Sequence, residues 1–106
     1  MNNFSDMLSK AKAMQEKMRE AQDQIKKIEV QGMSGGNLVK VTLTGDYEIK
    51  SIEITDAAKK ESQEIINDLI IAAYNNAKEN LKKKSAEELS KATGGLNLPT
   101  DFKLPF

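Results

Sequence analysis

Two clusters of basic side chains are the most promising functional residues of this chain, because they could bind phosphate groups. One cluster lies early in the chain and the other late, and together they comprise Lys10, Lys12, Lys17, Arg19, Lys78, Lys82, Lys83 and Lys84. Lys and Arg contacts to nucleic-acid phosphates give affinity without recognition of base sequence. Acidic residues such as Glu16 and Glu79 lie among these cations, so the alternative is a charged surface that keeps exposed helices soluble. Few aromatic residues are interspersed, and stacking on single strands is therefore not predicted.

Catalysis is not predicted, because the side chains that most enzymes use are missing. The chain has no Cys and no His, which removes thiol nucleophiles, histidine-based proton transfer and nearly all zinc sites. Ser34 lies between glycines, but it has no His to activate it and no strand-to-helix turn to expose it. We expect a protein that is not an enzyme and that has no metal, cofactor or small-molecule substrate.

The glycine-rich segment 32–36 resembles a phosphate-binding loop only superficially. Such a loop requires a helix N-terminus directly after it, whereas the alternating residues that follow Gly36 predict a strand. The segment is therefore predicted to be a hairpin loop whose glycines adopt positive φ.

Length and composition indicate a small cytoplasmic domain. The 106 residues carry zero net charge, which argues against an overtly basic nucleic-acid binder. No apolar run approaches the roughly 20 residues that a membrane-spanning helix needs, and the N-terminus lacks the pattern of a signal peptide. We expect one domain over residues 1–95, an apolar tail over residues 96–106, and no membrane partner.

A long first helix must position the earlier basic cluster. Apolar residues at alternating steps of three and four predict a helix over about residues 4–28 with the heptad pattern of a coiled coil. The eight positions are Phe4, Met7, Ala11, Met14, Met18, Ala21, Ile25 and Ile28. Because such a helix is longer than a small sheet is wide, part of its apolar stripe must be covered by another helix of the chain or by a second copy.

The middle of the chain changes to a period of two and predicts an antiparallel meander of three strands. The strands are expected at about residues 28–33, 37–44 and 47–55. Ile49 does not share a period of two with Ile52 and Ile54. A bulge near Lys50 and Ser51 is therefore expected to bring all three to the core face.

The last third of the chain predicts helices over about residues 57–93, with Thr55 or Asp56 and then Ser62 as caps. Its apolar stripe from Ile65 to Tyr74 is broad enough to face both a sheet and another helix. Ser85 and Glu88 match a capping box, which indicates that the helix breaks or restarts there. The proline-containing tail is expected to lie extended over an apolar surface or to be available to a partner.

These patterns predict an α+β fold and an obligate homodimer. The predicted core comprises Val39, Val41, Leu43, Ile52, Ile54, Leu69 and Ala73, with Lys40 and Thr42 facing away from it. The apolar stripes of the two helices exceed what one three-stranded sheet can cover, which motivates the dimer. Its predicted interface comprises Met7, Met14, Met18, Ile66, Ile70 and Tyr74.

The chain resembles the YbaB/EbfC family of bacterial nucleoid-associated proteins over nearly its whole length. The resemblance lies in residues 7–18, 29–42, 67–77 and 94–106, and the unusual apolar tail is its most specific part. It implies a homodimer shaped like tweezers that binds duplex DNA with little sequence preference, near the open ends of its helices. It also implies that the protein alters DNA conformation in the nucleoid, with an effect on gene expression.

The alternative function is that of a dimeric protein–protein interaction module without direct DNA binding. In that case the apolar stripe of the first helix and the tail form the binding surface. Binding to phosphates weakens steeply with salt, whereas an apolar interface does not, so a salt series separates the two functions.

Overall fold

The chain forms a long helix, a three-stranded antiparallel sheet, a short helix and a second long helix. The structure is a computed structural model that describes residues 3–92. Its elements are α1 (Asn3–Lys26), β1 (Glu29–Ser34), β2 (Val39–Thr44), β3 (Ile49–Ile54), α2 (Asp56–Lys59) and α3 (Gln63–Ala92). The predicted α+β class and antiparallel sheet are confirmed. The tail over residues 96–106 lies outside the described residues.

Side-chain caps start the two C-terminal helices where the sequence predicted them. The Thr55 hydroxyl accepts a hydrogen bond from the amide of Ala58 at 3.2 Å, and the Ser62 hydroxyl accepts one from the amide of Ile65 at 3.3 Å. These bonds satisfy amides that the first turn of a helix leaves without partners. α3 then runs without a break through Ser85, so the break or restart that the capping-box pattern indicated there is wrong.

The sheet has the order β1-β2-β3, and β3 contains the predicted bulge. Thr42 pairs with Ser51 while the next residue, Leu43, pairs with Ile49, so that Lys50 is the extra residue of β3. The bulge brings Ile49 to the same face of the sheet as Ile52.

α3 lies on this face of the sheet, close enough that its backbone touches β1 at Gly32. A Cβ atom on Gly32 would lie 2.1 Å from the amide nitrogen of Ala77 and 2.3 Å from the carbonyl oxygen of Ala73. The hydroxyl of Ser34 also donates to the carbonyl of Leu69 on α3 at 2.6 Å. Only glycine permits so close a contact between strand and helix.

Gly32 therefore corrects the prediction that the whole glycine-rich segment is a hairpin loop. It belongs to β1, and its role is the close approach of α3. The prediction is confirmed for Gly35 and Gly36, which have φ of 59° and 74° between β1 and β2.

The core forms between α3 and the first two strands. Four predicted core residues (Val39, Val41, Leu43 and Ala73) are fully buried there, together with Ala77 and Leu81. Leu69 and Ile54 are half-buried and pack against this core. Ile52 was predicted to be buried but is 42% exposed, because α3 lies across β1 and β2 and hardly contacts β3.

The far face of the sheet contains one further correction. Lys40 is half-buried and forms an ion pair with Glu53 of β3 at 3.0 Å. Thr42 faces away from the core, as predicted, yet it is buried rather than solvated, with only 7% of its surface exposed. It lies in the central strand between Gln31 of β1 and Ser51 of β3, and these two neighbours restrict the access of water.

The contact at Gly32 predicts the effect of adding one methyl group. Gly32→Ala should lower the free energy of unfolding by about 3 kcal/mol or more, because α3 must move away from β1. Gly36→Ala is the control: nothing lies within 4 Å of its Cβ position, and only the positive φ costs about 1–2 kcal/mol. Urea denaturation measures both variants. An equal loss in the two would contradict the role assigned to Gly32.

Candidate nucleic-acid interface

The predicted basic residues lie on a projection built from two helices. α1 and the end of α3 run antiparallel, so that Lys17 and Ala21 of α1 line one groove with Glu88 and Ala92 of α3. Ala21 is buried in this contact. We define the helical arm as residues 3–26 together with residues 78–92, and the body as residues 27–77. The helical arm makes the molecule elongated: its radius of gyration is 19.1 Å, against about 13 Å for a compact chain of this length.

The fold separates charges that cancel in the sequence. The helical arm carries ten basic and seven acidic side chains, a net charge of +3. The body carries five basic and eight acidic side chains, a net charge of −3. The zero net charge of the chain therefore hides a positive end and a negative end.

Six of the eight predicted cations have no ion-pair partner within the described part of the chain. Arg19 pairs with Glu16, and Lys82 lies 3.9 Å from Glu79; both pairs are exposed. Within residues 3–92, no carboxylate lies within ion-pair distance of the other six, which are Lys10, Lys12, Lys17, Lys78, Lys83 and Lys84. Exposed pairs on a helix are worth only about 0.3–0.5 kcal/mol, so Arg19 and Lys82 can exchange their partners for a phosphate at little cost.

The cations occupy successive levels of the helical arm. Lys17 lies near Lys91, in the groove where α3 passes α1. Compared with this level, Lys10 lies on α1 further from the sheet. Lys84 lies on α3 closer to the sheet, beside the edge of β1. By helical rise, Lys10 and Lys84 are separated by roughly 20 Å along the helical arm. Because duplex DNA presents a phosphate about every 1.7 Å of its axis, such a row faces several phosphates at once.

Two asparagines set the rotation of α3 and hence the direction of its cations. The side-chain oxygen of Asn76 accepts from the amide of Met33 at 3.0 Å, and the side-chain nitrogen of Asn80 donates to the carbonyl of Gln31 at 2.8 Å. Both partners are backbone groups on the outer edge of β1, where no other strand of the described residues pairs with it. About one turn further on, Lys83 and Lys84 line a groove along the same edge.

Sequence reasoning gave these asparagines no role. The available signal was their separation by four residues, which places both on one side of a helix.

Two apolar surfaces remain open, one of them at the end of the helical arm. On α1, Met7 and Met14 are exposed and Met18 is half-buried. Away from this end, Ile49 and Ile52 of β3 are exposed because α3 does not cover them.

The α3 residues of the predicted dimer interface lie next to the β3 surface. Because Asn76 and Asn80 hold one flank of α3 against β1, helical periodicity directs Ile70 and Tyr74 toward β3. Both are half-buried and pack against the core, and Ile66 is also half-buried. Ile49 and Ile52 were not predicted to be interface residues, because Ile52 was assigned to the core.

Two other features are absent from the described part of the chain. Over residues 3–92, no group of acidic side chains is arranged to hold a metal ion. In the same residues, no helix combines the length and apolarity that crossing a bilayer requires.

Comparison with known proteins agrees with a nucleic-acid interface. The model of the YbaB/EbfC DNA-binding family matches residues 1–96. A nucleoid-associated protein of Bartonella bacilliformis is 43% identical in an alignment that covers all of this chain and 99% of the relative. Nucleoid-associated proteins of Rickettsia canadensis and Granulibacter bethesdensis are 42% and 40% identical, each with both chains covered completely.

Proposed function

Because the chain belongs to the YbaB/EbfC DNA-binding family, we propose that it binds the phosphate backbone of duplex DNA as a homodimer with little sequence preference. The relatives are named nucleoid-associated proteins, and we propose the cytoplasmic nucleoid as the location of this protein as well. Binding by several dimers would change the conformation of the DNA and thereby affect gene expression.

The observation that carries this proposal is the positive helical arm of a neutral chain. Six of the eight predicted cations have no carboxylate partner in the described residues, and all eight belong to the helical arm. Phosphate contacts by such residues release counterions from DNA, which supplies affinity at every sequence alike. Each dimer would carry two helical arms.

The architecture of the helical arm supports contacts to phosphate rather than to base edges. α1 and α3 have 24 and 30 residues and lie side by side along the arm. Neither is a separate short recognition helix that could enter a major groove as in a helix-turn-helix protein. Arg19, the only arginine, is paired with Glu16 on its own helix.

A second copy accounts for the apolar surface on β3. Ile49 and Ile52 are 47% and 42% exposed. Helical periodicity directs Ile70 and Tyr74 of α3 toward the same strand. A continuous apolar surface of this kind on a small protein is typical of an interface. A homodimer through this surface directs its two helical arms away from the interface, as the tweezer shape requires.

The α1 side chains of the predicted interface, Met7, Met14 and Met18, lie too far along the helical arm for the same contact. Helical rise along α3 and α1 separates Ile70 from Phe4 by roughly 50 Å. In this proposal the dimer therefore uses Ile66, Ile70 and Tyr74 together with the two β3 isoleucines.

The alternative, a protein–protein interaction module, is favoured by one observation. Phe4, Met7 and Leu8 form an exposed apolar surface at the end of the helical arm. A partner protein bound there would remain bound at high salt, whereas DNA would dissociate.

A matched pair of lysine variants tests DNA binding. Lys83→Gln with Lys84→Gln should lower affinity roughly tenfold or more, on two unrelated duplexes alike, and reduce the salt slope by about one unit per lysine. Lys59→Gln with Lys60→Gln removes the same charge from the body and should leave affinity unchanged. Band shifts at several salt concentrations measure both. Equal affinity of the two variants would remove Lys83 and Lys84 from the site, and a loss on one duplex alone would indicate recognition of base sequence.

Sedimentation of two glutamate variants tests the dimer. Ile52→Glu should give a folded monomer at micromolar concentration, because a charge would be buried against the second copy. Met7→Glu changes the far end of the molecule and should remain a dimer. If the Met7→Glu variant is monomeric, the interface lies on α1 instead. If the native protein is monomeric, the proposed dimer is wrong. Circular dichroism verifies that each variant is folded.

A further inference from the structure

The outer half of α1 presents a row of lysines beside a row of methionines. Lys10 and Lys17 lie seven residues apart, and neither has an ion-pair partner among residues 3–92. Met7 and Met14 are also seven residues apart and are 66% and 37% exposed. At 3.6 residues per turn, the methionine row lies about 60° round the helix from the lysine row. Asp6, the acid on this flank, lies beyond the lysines and away from the methionines.

The first part of α3 presents a complementary pair of rows. Glu64 and Asp68 are exposed and lie one turn apart, on the side of the helix opposite to its buried alanines. Beside them, Ile65 is 45% exposed, and Ala72 is exposed as well. This apolar row lies about 70° round α3 from the two acids, in the same sense of rotation as the methionines from the lysines.

The acids of this segment are not balanced within the chain. Residues 61–77 carry three acidic side chains, those of Glu61, Glu64 and Asp68, and no basic ones. In the described part of the chain, none of the three carboxylates has an ion-pair partner. The dipole of α3 accounts for Glu64 in the first turn, but not for Asp68 or for the exposed Ile65.

These two surfaces are too far apart to meet within one chain. By helical rise, Lys10 and Asp68 are separated by roughly 45 Å along the helical arm and α3. A contact between them therefore requires a second copy of the chain.

We propose that the outer half of α1 of one copy packs antiparallel on the first part of α3 of another copy, with the lysine row against the acids and the methionine row against Ile65 and Ala72. The orientation follows from the shared sense of rotation. When two such helices face each other antiparallel, both charged rows lie on one side of the contact and both apolar rows on the other. Such complementarity of charge gives a contact its specificity.

The spacing of the charges fits this arrangement. With Lys10 placed opposite Asp68, Lys17 lies within about 5 Å of the level of Glu64, a distance that the side chains span. Both acids then have a cation beside them, and both lysines gain the partner that their own chain does not provide.

The apolar rows meet in the same alignment. Met14 comes within about 2 Å of the level of Ile65, and Met7 within about 2 Å of the level of Ala72. Methionine is flexible enough to fill an irregular gap, and the small Ala72 leaves room for it. Exposed ion pairs alone contribute little, so burial of these four side chains supplies much of the affinity.

The contact joins different surfaces of the two copies, so it builds an open chain of molecules and does not close on itself. It is compatible with the proposed dimer, because Ile70 lies about 160° round α3 from Asp68. Lys10 and Lys17 are also predicted to bind DNA, so a docked helical arm cannot use them for phosphates. Self-association and DNA binding therefore compete.

Charge reversal on each surface tests the contact. One variant carries Lys10→Glu with Lys17→Glu, and the other carries Glu64→Lys with Asp68→Lys. Each alone should form species larger than a dimer roughly tenfold more weakly than the native protein at low salt, because like charges face each other. An equimolar mixture should regain native association, since opposite charges meet again in both directions. Sedimentation velocity measures all of these samples.

Lys12→Glu with Arg19→Glu is the matched control. These cations are also seven residues apart on α1 but lie on the other flank of its apolar stripe, so this variant should associate as the native protein does. Three results would overturn the proposal: no recovery in the mixture, an equal loss in the control, or a native protein that never exceeds the dimer.

Disulfide formation gives a second measurement that keeps every charge, because the chain has no cysteine of its own. Met14→Cys with Ile65→Cys in one chain should give a ladder of linked chains on a non-reducing gel after oxidation. Ala13→Cys with Ile65→Cys is the control and should give no ladder, since the exposed Ala13 lies about 100° round α1 from Met14.

The absence of a ladder in the Met14 variant, or a ladder that stops at two chains, would contradict the proposal. Neither measurement contains DNA, and the disulfide ladder does not depend on the β3 dimer. Their outcome is therefore separate from that of the proposed function.

Discussion

The contact of α3 with the backbone of β1 at Gly32 is the constraint on which the rest of the structure depends. Because residue 32 has no side chain, the helix lies directly on the strand, and the small Ala73 and Ala77 face the same contact. Asn76 and Asn80 then fix the helix against the outer edge of β1. α3 is thereby placed over β1 and β2, which leaves the isoleucines of β3 uncovered and directs the far end of the helix away from the sheet.

That placement converts a neutral sequence into a molecule with a positive end. Body acids far from the helical arm do not cancel its charge in solution, because charges further apart than about 8 Å are largely screened at physiological ionic strength. Glu29 is the body acid that lines the groove of Lys83 and Lys84, and it forms an ion pair with Lys50. Asp68 and Lys83, for example, are separated by roughly 22 Å of helix. A phosphate backbone at the helical arm therefore meets mainly the local excess of +3 and the lysines that have no carboxylate partner among residues 3–92.

Local patterns of the sequence predicted the elements, the caps and the bulge. The bulge at Lys50 was predictable because the two sets of isoleucines in β3 can share a face only if one residue is extra. The exposure of Ile52, the role of Gly32 and the asparagine contacts were not predictable in this way. Each depends on which strands α3 covers. The periodicity of α3 shows which side of the helix is apolar, but it does not show which strands that side contacts. Likewise, the sequence showed that the lysines form clusters. Their distance from the acidic residues of the body became visible only in the folded structure. The specific lysines that touch DNA, and the dimer interface, stay predictions.

The central claim is that DNA binding depends on this separation of charge and not on net charge. One variant tests it most directly: Lys10, Lys12 and Lys17 are changed to Gln, Glu61 and Glu64 to Gln, and Asp68 to Asn. All six residues are exposed, and the change makes the helical arm and the body each neutral while the chain keeps its net charge of zero. The measurement is the affinity for a random duplex as a function of salt. Affinity should fall strongly, and the salt slope should become shallower by about one unit for each of the three lysines. Native affinity with an unchanged slope would contradict it.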